Sequence, residues 1–248
     1  ADEITPKLVK GELDIAAVPA NLASVLYNNT EGKIQILAIN NLGVLYVVEQ
    51  GETVKSFADL KGKTIYTTGK GTTPEYTLRH ILSANGIDPD KDVTIEFKSE
   101  ATEVGALLAS AEGDMVAMLP QPYVTAVQAQ NQNVKVCLDM TEEWGKISDQ
   151  KLITGVLVAR KEFIEANKAS FDVFLGDYAA STQYVTENVD EAAAWVAEYG
   201  IVAKEPLAKK AIPQCNITCV TGEEMKALVN NYCDVLFNQN PASVGGTM

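Results

Sequence analysis

Short apolar runs alternate with longer amphipathic stretches along most of the chain, and this alternation constrains the fold more than any other feature. A short run rich in Val, Ile and Tyr forms a buried strand, and a stretch with apolar residues at helical spacing covers it. Repeated in series, the two predict an α/β protein with mainly parallel sheets. Residues Ile4 to Leu13 predict a helix that stops at Gly11, and Asp14 to Pro19 a buried strand ending in a proline turn. A helix follows over Ala20 to Asn29, then strands over Ile34 to Asn40 and Leu42 to Val48, separated by Asn40 and Asn41.

The middle of the chain repeats the pattern. Lys63 to Gly69, Val93 to Lys98, Asp114 to Leu119 and Val134 to Met140 read as strands. Between them, Pro74 to Gly86, Glu103 to Gly113 and Pro122 to Gln130 read as helices. Three strand-to-helix units in a row predict right-handed crossovers and a small parallel sheet. Thr154 to Asn167 opens a third segment that is helical almost to the end. Leu42 to Gln50 and Thr154 to Glu162 look alike and bracket the middle, so both are expected to cross between lobes. The expected division is a discontinuous outer lobe, 1–48 and 155–248, with a second lobe, 49–154, inserted into it. A ligand cleft is expected between the two. The outer lobe opens on a helix, so its first strand–helix–strand is expected to be missing from the sequence given.

Composition excludes several function classes. The formal net charge is −13, from 20 basic and 33 acidic residues, and arginine occurs only at positions 79 and 160. Nucleic acid and anionic membrane surfaces both need clustered basic charge, so neither is an expected partner. No apolar run approaches the length of about 18 residues that spans a bilayer. His80, the single histidine, lies inside a helical pattern rather than in a loop. With Cys137, Cys215, Cys219 and Cys233 it makes no converging zinc set, and no metal is expected. A disulfide among the last three cysteines and buried free thiols both remain open, with free thiols preferred. A GxSxG elbow, a P-loop and a dinucleotide fingerprint are all missing, so catalytic residues and cofactors are expected to be none. The many carboxylates fit exposed helix faces, and the lone Trp144 fits packing.

Three turns carry the binding chemistry. In Thr68 to Leu78, Gly69 and Gly71 permit a tight turn, Thr73 is a candidate N-cap, and Pro74 suits the first helical position. Such a turn directs N–H groups and the positive end of a helix dipole outward, and Lys70, Thr72 and Thr73 add donors. The turn after Leu119 sets Gln121 at the carboxyl end of a strand, where α/β proteins bind ligands. The turn at Pro19 repeats that form, with Asn21 near the helix start.

These motifs resemble a known family. Ser56 to Leu82 is similar to the segment that enters the second lobe in solute-binding proteins of the nitrate, sulfonate and taurine group, which includes thiamine-pyrimidine binders. Lys10 to Ser24, Gly113 to Ala126 and Thr154 to Asn167 match three further stations in the right order. The resemblance implies a periplasmic-binding-protein fold of the second type, with two crossing hinge strands. It also implies an extracytoplasmic, periplasmic or lipid-anchored, monomeric subunit that hands a small molecule to an ABC permease. The positions that match the family's binding turns are Pro19, Asn21, Asn41, Gly43, Gly69, Lys70, Gly71, Thr72, Thr73, Gln121, Tyr123 and Thr154. Many relatives carry Glu where this chain has Gln121. A small sulfonate- or carboxylate-like anion is the first expected ligand. A pyrimidine stacked on Tyr123 or Trp144 is the second. Enzymes on this fold are a weaker expectation, because the pyrimidine-synthase type uses an active-site His and a Cys-rich motif. The porphobilinogen-polymerising type needs a cleft lined by arginines.

Overall fold

A computed structural model describes residues 3–246. In chain order the elements begin with α1 (Ile4–Lys10), β1 (Ile15–Pro19), α2 (Ala20–Asn29), β2 (Ile34–Leu42) and β3 (Leu45–Gln50). The middle contributes β4 (Thr64–Thr67), α3 (Thr73–Ala84), β5 (Thr94–Phe97), α4 (Ala101–Ala109), β6 (Met115–Pro120), α5 (Tyr123–Gln130), β7 (Val134–Asp139) and α6 (Met140–Ile147). The chain continues through β8 (Ile153–Arg160), α7 (Lys161–Ala166), α8 (Lys168–Glu187), α9 (Val189–Glu198) and α10 (Glu205–Ala211). It ends with β9 (Ile217–Val220), α11 (Gly222–Gln239) and a 3-10 turn over Pro241–Val244.

The elements agree closely with the expected ones, and Gly11 shows why. It sits in the left-handed region at φ +76°, and its N–H closes α1 onto the Leu8 carbonyl at 3.2 Å. Two expectations are corrected at the level of boundaries. Strand β2 runs through Asn40 and Asn41 to Leu42, with bulges around them instead of a break. Strand β9, short and half-buried, falls in a stretch expected to be helical.

The chain folds as two compact units. The first comprises Ala1–Leu42, Gln150–Glu187 and Ile217–Met248; the second comprises Gly43–Asp149 and Asn188–Asn216. The chain therefore passes between units four times, at Leu42–Gly43, Asp149–Gln150, Glu187–Asn188 and Asn216–Ile217. The expected division has only two crossings and puts residues 188–216 in the outer lobe. Neither β3 nor β8 itself crosses: each lies within one sheet, and the chain changes unit just before it.

The first unit holds a four-stranded sheet in the order β1-β8-β2-β9, with every pairing antiparallel. The parallel expectation fails here because β8 inserts between β1 and β2. Those two strands run the same way but each pairs with the returning strand, not with the other. The α2 helix is tied to the 3-10 turn by side chains: buried Asn21 donates to the Ser243 carbonyl at 3.0 Å, and Ser24 and Asn28 donate to that of Val244 at 3.0 and 2.8 Å.

The second unit holds a five-stranded sheet in the order β5-β4-β6-β3-β7. Strand β4 is parallel to β5 and β6, whereas β3 is antiparallel to β6 and β7, so the sheet is mixed rather than purely parallel. Every residue of β3 except Gln50 is buried, as expected of a central strand covered on both faces. One of them is Glu49, which corrects the expectation that carboxylates lie on exposed faces. Its oxygens accept the Thr53 and Val54 N–H groups at 3.0 and 2.9 Å and the Thr53 hydroxyl, so the buried charge is satisfied by its own connecting loop. Trp144 is fully buried and packs against His80 with ring centroids 4.9 Å apart, in line with the packing role expected of it.

Asn21→Ala removes the Asn21 donor from the Ser243 carbonyl inside the first unit. The expected cost is about 1–3 kcal/mol, read by differential scanning calorimetry as a Tm lowered by roughly 2–4 °C per kcal/mol. An unchanged Tm contradicts the proposed role of this bond.

Candidate functional site

Sheet register decides which of the expected binding residues come together. In the first unit Gly155 stands opposite both Pro19 on β1 and Asn41 on β2, with Thr154 beside it. Pro19, Asn41 and Thr154 therefore share one end of that sheet. A Cβ on Gly155 would lie 2.7 Å from the Asn40 Oδ1 atom, so a side chain there would require Asn40 to shift. Asn21 is not part of this group, because its amide is engaged with Ser243.

In the second unit, parallel β4 and β6 end at the same edge of the sheet, and antiparallel β3 begins there, with Leu45 opposite Pro120. The Gln121 N–H donates to the Val44 carbonyl at 3.0 Å. Gly43, the turn from Gly69 to Thr73, and the turn from Gln121 to Tyr123 thus share the carboxyl edge of the sheet, where α/β folds place ligands. Eight of the twelve expected residues lie here, and three of the other four lie at the sheet end of the first unit.

The Gly69–Thr73 turn is more self-contained than its sequence suggests. Gly69 and Gly71 adopt φ values of +77° and +74°, which favour glycine. The Thr72 N–H and hydroxyl both donate to the Gly69 carbonyl, at 3.0 and 2.7 Å. Helix α3 starts one residue earlier than expected, with Thr72 at the N-cap and Thr73 buried in the first turn. The Thr72 hydroxyl bonds back into the turn and makes no cap bond. The Gly71 N–H donates to Glu75 Oε2 at 2.6 Å, and Arg79 Nε donates to Glu75 Oε1 at 2.8 Å. Arg79 also pairs with Asp90 at 2.8 Å. Burial works against the Arg79 charge, but its hydrogen bonds to Asp90 and Glu75 outweigh that and raise its pKa. Lys70 projects over the Phe97 ring, 5.9 Å from the centroid.

At the neighbouring turn Gln121, only 6% exposed, is engaged on both sides of its amide. Its Nε2 donates to Gln214 Oε1 at 2.7 Å, and its Oε1 accepts the Thr125 hydroxyl at 2.9 Å. Tyr46 donates its hydroxyl to the Gln214 carbonyl at 3.0 Å, and Asn216 donates its amide to the Gly43 carbonyl. These bonds tie the end of the 188–216 segment into the second unit. Burial, joined by the charges of Asp139, Cys215 and Glu142, pushes the Tyr46 hydroxyl up to about 12. Tyr123 opens α5 and is 36% exposed.

Sequence reasoning places Glu75 in the first turn of the helix without giving it a partner, and it misses Gln214. For Glu75 a signal existed: Thr72 and Glu75 have the spacing of a capping box, in which the carboxylate at the third helical position reaches back to a backbone N–H. Here it reaches one residue further, to Gly71. For Gln214 no local pattern points to a partner on a distant turn.

The four cysteines are thiols, and none is joined in a disulfide. Among the described residues, no group of three or more His, Cys, Asp and Glu side chains is arranged to hold a metal ion, and no helix is long and apolar enough to cross a membrane.

The two sheets and their helical layers make the α/β fold of type II periplasmic binding proteins. A crystal structure of an ABC transporter protein from Parabacteroides distasonis matches with a TM-score of 0.81 at 23% identity, covering 100% of this chain and 82% of that one. The periplasmic aliphatic sulphonate binding protein SsuA from Escherichia coli matches with a TM-score of 0.76 at 17% identity, covering 97% and 75%. A mutant of the enzyme DszB, in complex with biphenyl-2-sulfinic acid, matches with a TM-score of 0.66 at 13% identity, covering 94% and 81%. Transport binding proteins and an enzyme therefore share this fold. The family model described as NMT1/THI5 like matches residues 4–192, and the chain belongs to that family. No curated protein sequence matches it significantly.

Burial pushes the thiols of Cys137, Cys215 and Cys233 up to about 11, with the Glu49 charge adding to the effect at Cys137. All three are expected to react slowly with a thiol reagent at pH 8, against full reaction in denaturant. Because their pKa values are higher folded than unfolded, the stability they contribute is present below about pH 9 and is lost as pH rises toward 11. Urea titrations at pH 8 and 10 measure that loss.

Proposed function

We propose that the protein is the extracytoplasmic solute-binding subunit of an ABC importer, a monomer that captures a small organic molecule and delivers it to membrane permease subunits. The observation that supports this most is the NMT1/THI5-like match over residues 4–192, on a fold shared with transport binding proteins. Periplasmic or lipid-anchored placement follows from the same reading. The expected binding residues cluster at sheet ends, in keeping with ligand capture by turns rather than by a catalytic set.

Two ligand classes are open within this function. A sulfonate- or carboxylate-like anion draws support from the likeness to SsuA and from a glycine-rich turn at a helix N-terminus beside Lys70. A thiamine-precursor-like pyrimidine draws support from the turn itself, where the Gly71 N–H already serves Glu75 while the Tyr123 ring is exposed. We take the second class as the reading to test first, because the Gly71 N–H is already engaged. Trp144 takes no part in stacking because it is fully buried.

A thermal-shift screen separates the classes, since a bound ligand raises Tm by mass action. Aminopyrimidines are expected to raise Tm, and Tyr123→Ala to weaken their binding roughly five- to tenfold by loss of about 1 kcal/mol of stacking. Stabilisation by organic anions alone removes the pyrimidine reading. Failure of every small solute, including sulfonates, carboxylates and heterocycles, removes the solute-binding reading.

A further inference from the structure

The chain carries its own anion at the start of α3. Glu75 is 8% exposed, and both of its carboxylate oxygens are used: Oε2 by the Gly71 N–H and Oε1 by Arg79. Free anions gather at a glycine-rich turn leading into a helix because its N–H groups and dipole favour negative charge. In this turn the Thr72 N–H points back to the Gly69 carbonyl, and the Gly71 N–H is occupied by a carboxylate from the first turn of the same helix. An external sulfonate would have to displace a tethered competitor whose effective concentration is about millimolar or higher. It would also approach a cluster of Glu75, Asp90 and Arg79, which holds two negative charges against one positive.

We propose that Glu75 is a specificity-determining residue that fills the anion position of the Gly69–Thr73 turn and so excludes sulfonates and carboxylates from it, leaving the site to solutes without a negative charge at that end. Glu75 acts by occupying and charging the turn, with no contact to the solute required. The inference rests on the reading of this turn as part of the solute site and deepens it by naming the ligand charge that the site rejects.

Methanesulfonate is the probe, measured by calorimetry on the full chain and on Glu75→Gln and Glu75→Ala. Glu75→Gln keeps the shape and removes the charge; Glu75→Ala also removes the oxygen that the Gly71 N–H now serves. The wild type is expected not to bind methanesulfonate at the turn. Both variants are expected to gain binding by about tenfold or more, the scale of one like charge removed at a partly screened site. A purely structural Glu75 would only lower stability, and gain of anion binding is not an outcome of lost stability. Wild-type binding at least as tight as that of the variants overturns the proposal, and so does the lack of binding by all three proteins. Should a variant not fold, the Gly71 amide resonance of the wild type decides the question. It is expected to stay in place during a methanesulfonate titration, and a saturable shift overturns the proposal. Aminopyrimidine binding by the wild type tests the solute-binding function separately, so failure of one reading is distinguishable from failure of the other.

Discussion

Strand β3 is the constraint on which the second unit depends. It runs antiparallel between β6 and β7, buried along nearly its whole length. Its first residue pairs with the last residue of β6, which brings the incoming chain at Gly43 to the edge where β4 and β6 end. Had β3 been parallel to its neighbours, Gly43 would sit at the opposite edge, away from the glycine and glutamine turns. The buried Glu49 near its end carries an unpaired-charge risk, and the loop that follows removes it by bending back to donate two N–H groups and a hydroxyl.

Local elements are legible in the sequence because their signals are local. Gly11 ends α1 and the proline turns precede α2 and α5 where the pattern puts them. Topology is less legible. The alternation of strands and helices says nothing about β8 returning between β1 and β2, or about β3 standing antiparallel in the middle of its sheet. The β8 pairings join residues more than a hundred positions apart, and no spacing rule reaches that far.

The turns expected to bind a solute illustrate the same boundary. Their position at a carboxyl edge follows from strand-to-helix order, but their hydrogen-bond state does not. Gln121 looks in sequence like a polar group offered to a ligand, yet its amide is held between Thr125 and Gln214. The glycine-threonine turn looks like a set of outward donors, yet Glu75 takes the Gly71 N–H. In both cases a protein group satisfies the demand first, as the cost of an unmade buried hydrogen bond requires.

The Gln121–Gln214 bond has a further consequence, for how such a protein can be divided. A piece of chain ending at Asp149 would contain the whole five-stranded sheet but lack the helices of residues 188–216. Gln121, Tyr46 and the Gly43 carbonyl would each lose the partner that segment supplies. The second unit is therefore a structural module without being a contiguous genetic one, and recombination that exchanged 43–149 alone would transplant the edge that carries the glycine and glutamine turns without its support.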